Sequence, residues 1–211
     1  MGGWAPGGLS QPYPDGLGKE VKKNADIVLQ LHFNPTGKPE KEQSQVGLWF
    51  TREKPQRMVA MMPLSDWQIN LPAGQKEITI TDSVVLPVDV DLIGIIPHAH
   101  YLGKECKAWA TTPEGKEIPL IWIKDWDFDW QEQYQYKSLL WVPKGSTVRM
   151  EWTYDNSAEN PRNPSSPPRR VRHGEQTEDE MAMVFFQVAP KDRADLMRLM
   201  LGTMGGARKK P

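Results

Sequence analysis

The sequence predicts an all-β protein, an antiparallel β-sandwich or jelly roll with little helix. Three observations carry this. Short apolar or alternating runs, rich in β-branched and aromatic residues, recur along the chain. The 19 prolines and 17 glycines of the 211 residues punctuate the stretches between them. Helical spacing is confined to the tail, residues 191–204, where Leu196, Met197, Met200, Leu201 and Met204 fall on one side.

Residues 1–24 are rich in Gly, Pro and polar groups and read as a loop. Residues 26–33 (Asp-Ile-Val-Leu-Gln-Leu-His-Phe) read as a strand, residues 34–38 as a turn, and residues 46–51 as a further strand. Residues 64–69 and 77–80 are strand candidates separated by a Leu71-Pro72-Ala73-Gly74 turn. Residues 84–96 form the longest apolar region. Residues 107–112 and 118–123 flank Pro113-Glu114-Gly115-Lys116, a hairpin signal with Gly where a positive φ is needed. Residues 125–130 alternate strictly, with Asp125, Asp127 and Asp129 on one side and Trp126, Phe128 and Trp130 on the other. Three aspartates at that spacing suggest a calcium loop, but the following Gly and the terminal Glu are missing, so a half-buried strand is expected. Residues 140–142 and 147–154 read as a second hairpin about Pro143-Lys144-Gly145-Ser146. The Pro- and Asn-rich residues 155–170 read as irregular, and residues 181–188 as the last strand.

Bulk properties narrow the function. A net charge of −1 offers no electrostatic basis for binding nucleic acid or an anionic membrane. No run of about 18 apolar residues is present, so no membrane span is expected. A single cysteine, Cys106, excludes an intrachain disulfide framework, and it is expected to be a buried small hydrophobe. The first residues lack the basic and apolar regions of a signal peptide.

The chemistry concentrates in Ile-Ile-Pro-His-Ala-His-Tyr-Leu, residues 95–102. His98 and His100 are two of only four histidines. On an extended strand residues i and i+2 share a face, so both imidazoles would point the same way, an arrangement suited to copper or zinc. Pro97 cannot donate to a ladder and suggests an edge or a bulge. A third ligand must come from another strand, and His173 and Met181 are the candidates. A thioether with two imidazoles favours Cu(I) over Zn(II), although a lone Met is commonly core filler.

His98-Ala99-His100-Tyr101-Leu102-Gly103, followed some 80 residues later by Asp179-Glu180-Met181, resembles the copper type II, ascorbate-dependent monooxygenases, the family of peptidylglycine α-hydroxylating monooxygenase and dopamine β-monooxygenase. The resemblance implies two jelly-roll domains with one copper each, and an extracytoplasmic protein. His98, His100 and Met181 match the ligands of the copper that activates O2. Leu29-Gln30-Leu31-His32-Phe33 is similar to a segment of the first domain, which makes His32 the matching ligand of a second, electron-transfer copper. The adjacent His-His pair that would complete that site has no counterpart. Residues 1–54 are accordingly expected to be the last strands of a first domain whose beginning is missing, and residues 55–190 the copper-bearing second domain. The function implied is C–H hydroxylation with O2 and a reductant such as ascorbate, on a small organic or peptide-like substrate. The amidating members carry an arginine where this chain has Ile96 and a tyrosine where it has Phe185, which argues against a peptide α-carboxylate substrate. Trp126, Trp130, Ile96 and Phe185 are the candidates for lining a substrate pocket. The rival reading is a non-catalytic copper-binding or scaffold domain of a larger redox protein, and a third is a structural sandwich whose histidines are incidental.

Overall fold

The structure is a computed structural model that describes residues 2–33 and 36–204. Strand accounts for 37% and helix for 6%. The strands are β1 (Leu17–Gly18), β2 (Arg57–Met58), β3 (Ala60–Ser65), β4 (Asn70–Leu71), β5 (Ile78–Val85), β6 (Val90–His98), β7 (Gly103–Thr111), β8 (Glu117–Ile123), β9 (Tyr134–Val142), β10 (Thr147–Tyr154), β11 (Val171–Arg172) and β12 (Met183–Pro190), followed by α1 (Arg193–Met204).

Two four-stranded antiparallel sheets form a β-sandwich, one in the order β3-β12-β6-β9 and the other β5-β10-β7-β8. Alternation dictates the core. Val148, Met150, Trp152 and Tyr154 of β10 face Val184, Phe186 and Val188 of β12, all between 0 and 1% exposed and joined in one cluster. Cys106 belongs to that cluster, on the inner face of the second sheet opposite Trp152.

The phase of β6 changes midway. Val90 and Leu92 face the core, then Ile93 is an extra residue against β12, and from there Ile95 and Pro97 face inward; β9 has its own, larger irregularity at the same point, between Leu140 and Gln135. Such a bulge shifts the alternation by one. Ile93 turns to the outer face, where it packs with Leu17, Val59, Ala189 and Tyr13. The bulge expected at Pro97 therefore lies at Ile93. Nor is β6 an edge strand, since it pairs with β12 and β9. Pro97 is tolerated there because β9 stops pairing at Ile95.

Several expectations are corrected. Residues 26–33 and 46–51 form no strand, and Val28, Trp49 and Phe50 are largely exposed. A strand needs a partner for its backbone groups, and neither segment pairs with a strand of either sheet. Residues 125–130 are a loop, because the chain must turn between β8 and β9. The apolar region 84–96 divides at residues 86–89, where the chain passes from one sheet to the other. Residues 140–154 are no hairpin, since β9 and β10 lie in different sheets. Their connection bonds to the β5–β6 connection through Gly145 N–H to the Leu86 carbonyl at 2.8 Å and Leu86 N–H to the Ser146 carbonyl at 2.9 Å. The β7–β8 hairpin stands, with Gly115 at φ 83°. The helix also stands, but Leu199 is its buried residue, while Met197, Met200 and Leu201 are exposed. The turn at 34–38 falls partly outside the described residues, as do the Met204 side chain and residues 205–211.

The contrast between core and exposed segment is measurable. Phe186→Ala, at a fully buried position, is expected to lower unfolding stability by about 3–5 kcal/mol in denaturant titration. Val28→Ser, at a position 88% exposed, should change it by less than about 0.5 kcal/mol. Equal losses would contradict this division.

Candidate metal centre

His98 is the last residue of β6, and His100 lies in the turn that carries the chain across to β7 in the other sheet. The strand therefore ends between the two histidines, yet the rings stay together, with centroids 5.3 Å apart at 81°. Residues 98–103 are held from behind. Gly103 is required there, because a Cβ would meet Trp126 Cδ1 at 2.9 Å and the Ala99 Cβ at 3.2 Å. Trp126 donates from Nε1 to the His100 carbonyl at 3.2 Å, and its own N–H bonds to the Lys104 carbonyl at 2.9 Å.

The second support comes from the segment just before β12. The Glu180 carboxylate, fully buried, accepts backbone N–H groups from His100, from Leu102 at 2.9 Å and from Met181 at 2.8 Å. Gly103 N–H donates to it as well. Burial pushes the Glu180 carboxyl up to about 8, against the pull of these donors. One side chain thus joins the histidine turn to the Asp-Glu-Met segment. Tyr154 Oη donates to the Met181 carbonyl at 2.7 Å and fixes the next residue.

Both imidazoles are held in one tautomer. His100 Nδ1 lies 3.0 Å from the Asp179 carbonyl, which can only accept, so Nδ1 carries the proton. His98 Nδ1 lies 2.6 Å from Gln131 Oε1, and Gln131 Nε2 donates to the Phe128 carbonyl at 2.8 Å. This leaves Oε1 as acceptor for the His98 proton. With the proton on Nδ1, Nε2 is the ring atom that carries the lone pair, which is how protein metal sites orient imidazole; the Gln176 backbone also hydrogen-bonds the His100 ring. Both rings are also kept neutral, as metal ligation requires. Burial lowers His98 against its Gln131 bond. Burial, with the neighbouring His98, brings His100 down to about 4.

The ring of Phe128 stands edge-on to His100, centroids 6.0 Å apart, and lies 4.5 Å from that of Tyr101. Among the described residues no third histidine, cysteine or carboxylate joins the pair. The ligand left to consider is sulfur. Met183 is directly opposite His98 in the ladder, and Met181 lies two residues before β12, tied to the histidine turn through Glu180. Ile96 and Phe185 are directly opposite each other on the same outer face.

The remaining candidates are placed elsewhere. Trp126 is 1% exposed and packs edge-on against Trp152 at 4.9 Å, so it supports the turn from the core instead of lining a pocket. Trp130 is 57% exposed. His32 is exposed on the strandless segment. His173 bridges to Glu180 through its backbone and sets its ring edge-on to Trp67 at 4.7 Å. Burial drives the Cys106 thiol far up, so it stays a neutral core group. Asp127 Oδ1 accepts the Asp129 N–H at 3.0 Å, a loop contact.

The roles of Glu180, Asp179 and Gln131 were missed from sequence, as was the position of Met183 opposite His98. Glu180 had a signal, as an acid adjoining Met181. Gln131 had none, since its role depends on the loop between β8 and β9. Met183 is recognisable only once register is known. No family model matches the chain, and no curated protein matches it.

Two outcomes follow from these contacts. Because the folded pKa of His100 lies below the unfolded value near 6.5, the unfolded chain binds the extra proton between about pH 4 and 6.5. Stability from this group is complete above pH 6.5 and is lost as pH falls to 4, by up to about 3 kcal/mol. Urea titrations of the wild type and His100→Gln across that range should diverge, and parallel curves would refute the assignment. Glu180→Ala removes the acceptor of four buried N–H groups. It is expected to destabilise by more than about 3 kcal/mol and to raise amide exchange at His100 and Leu102 in hydrogen-exchange measurements.

Proposed function

We propose that this chain carries the oxygen-activating centre of a copper-dependent monooxygenase, with His98 and His100 as ligands through Nε2 and Met181 through its thioether. The observation that supports it best is the Glu180 tie, which brings together two segments some 80 residues apart, the same two that carry the resemblance. The donor set fits the ion, since two neutral imidazoles and a soft sulfur suit Cu(I) better than Zn(II). When bound, copper would supply one-electron chemistry with O2. The overall reaction turns R–H, O2, two electrons and two protons into R–OH and water, with ascorbate or another donor providing the electrons.

The residues of this chain do the positioning. Asp179 and Gln131 hold the imidazole protons on Nδ1, Trp126 and Glu180 hold the backbone of the turn, and Phe128 screens His100 from water. On the same reading the sandwich is a jelly roll and residues 1–54 belong to a preceding domain. His32 serves a second copper there, and the complete protein is extracytoplasmic. A second reading, a copper-binding scaffold without turnover, is favoured by one observation. His32 stands exposed on a segment outside both sheets, and with His98 and His100 assigned to the first copper, only His173 of the four histidines is left to partner it.

Copper titration against a chromophoric chelator tests the centre. Met181→Ala should weaken Cu(I) binding by at least about tenfold, roughly 1.4 kcal/mol, and change Cu(II) binding little. His173→Ala and Met183→Ala should change neither. If Met183→Ala carries the Cu(I) loss, the third ligand is misassigned. If His98→Ala leaves both ions bound as before, the centre is wrong. Ascorbate-dependent O2 consumption by the complete protein separates enzyme from scaffold.

A further inference from the structure

The outer face of the first sheet continues from the histidine pair into a strip that the metal ligands do not use. Residues directly opposite in an antiparallel ladder share a face. His98 is opposite Met183 and then Ser65, Ile96 is opposite Phe185 and then Pro63, and Gly94 is opposite Gln187 and then Met61. The rungs between them, Pro97 with Val184 and Leu64, and Ile95 with Phe186 and Met62, face the core. From His98 to Gly94 the strip runs four residues, about 13 Å at 3.3 Å per residue.

The strip holds no charged side chain and is accessible in its middle, Met183 at 8% and Ser65 at 3% being buried beside His98. Met61 is 36% exposed, and Ile96, Phe185 and Pro63 are half-buried. None of these rungs holds Asp, Glu, Lys or Arg. The strip closes at Gly94, which is buried and where a Cβ would meet the Tyr134 carbonyl at 2.6 Å. The polar groups at that end are amides, Gln187 Nε2 donating to Gln133 Oε1 at 3.4 Å. Arg57 and Asp91, beyond the Ile93 bulge, neutralise each other at 2.8 Å.

We infer that the substrate presented to His98 and His100 is a neutral molecule with an extended aliphatic or aromatic body. It lies along Ile96, Phe185 and Met61, with at most an uncharged hydrogen-bonding group reaching Gln187 and Gln133. The catalytic meaning of this inference rests on the metal-centre reading; the binding preference does not. A carboxylate or ammonium on this strip would lose water and gain no counter-charge. Each CH2 buried along it gains about fourfold in affinity. Ile96 and Phe185 are thereby the specificity-determining residues.

The test uses the whole chain labelled with 13C at the methionine methyls, titrated at neutral pH with octanamide, octanoate and octylammonium, which share one chain and differ in head charge. Octanamide is expected to shift the Met61 and Met183 methyls and to bind at least about tenfold more tightly than either ion. Phe185→Arg should weaken octanamide and strengthen octanoate, while Phe185→Leu, which keeps an apolar side chain and reports on folding, should preserve the wild-type order. Equal binding of the three probes, or shifts confined to Met197 and Met200 on α1, would overturn the inference. Cu(I) uptake is followed on the same sample through the histidine ring resonances. Loss of uptake with the octanamide preference intact refutes the metal centre alone. Uptake without that preference refutes the strip alone.

Discussion

Much of this molecule depends on one buried carboxylate. Among the described residues Glu180 has no counter-ion in contact; its partners are backbone N–H groups from residues 100, 102, 103 and 181. A turn that leaves one sheet and enters another has few ladder bonds of its own, and buried N–H groups left without acceptors are costly. Glu180 provides those acceptors from a different part of the chain. The same contact that lets the sandwich turn a corner sets the position of His100, so folding and the candidate centre share a single fastening.

The placement of the centre follows from this. The two histidines straddle the point where the chain crosses between sheets, one on a ladder and one on a braced turn. Each ring is steered through Nδ1 by a group from a separate element, Gln131 from the β8–β9 loop and Asp179 from the segment before β12. A site assembled from several packed elements keeps its geometry better than one carried on a free loop. The aromatic stack from Trp126 to Trp152 to Tyr154 runs beneath it and joins it to the sandwich core.

How much of this was legible in the sequence depended on distance along the chain. The β class, the β7–β8 hairpin and the tail helix are local patterns, and they were read correctly. Residues 26–33 look like a strand, but a strand is a pairing, and pairing cannot be read from one segment. The turn at residues 143–146 looks like a hairpin turn because its chemistry is the same whether the next strand returns alongside or crosses to the other sheet. In the centre, the His98/His100 pair is visible as spacing and Met181 by resemblance. Gln131 and Met183 emerge only from three-dimensional register. The helix face was misjudged because Leu199, a single apolar residue, docks on the core while the more numerous methionines stay in water.

The extra residue at Ile93 fixes which side of a wall the histidines occupy. Val90, Leu92 and His98 all have even numbers, and on an unbroken strand they would share a face, the one packed into the interior. The bulge reverses the count once, so the residues before it serve the core and the even positions after it serve the outside. Length tolerance in β6 therefore has a period of two. Losing or gaining one residue between Val90 and Ile95 would exchange His98 and Ile96 with Pro97 and Ile95, putting imidazole in the interior and a naked aliphatic row outside, with the composition almost unchanged. A change of two would leave the faces as they are. For this strand, parity is inherited more strictly than sequence.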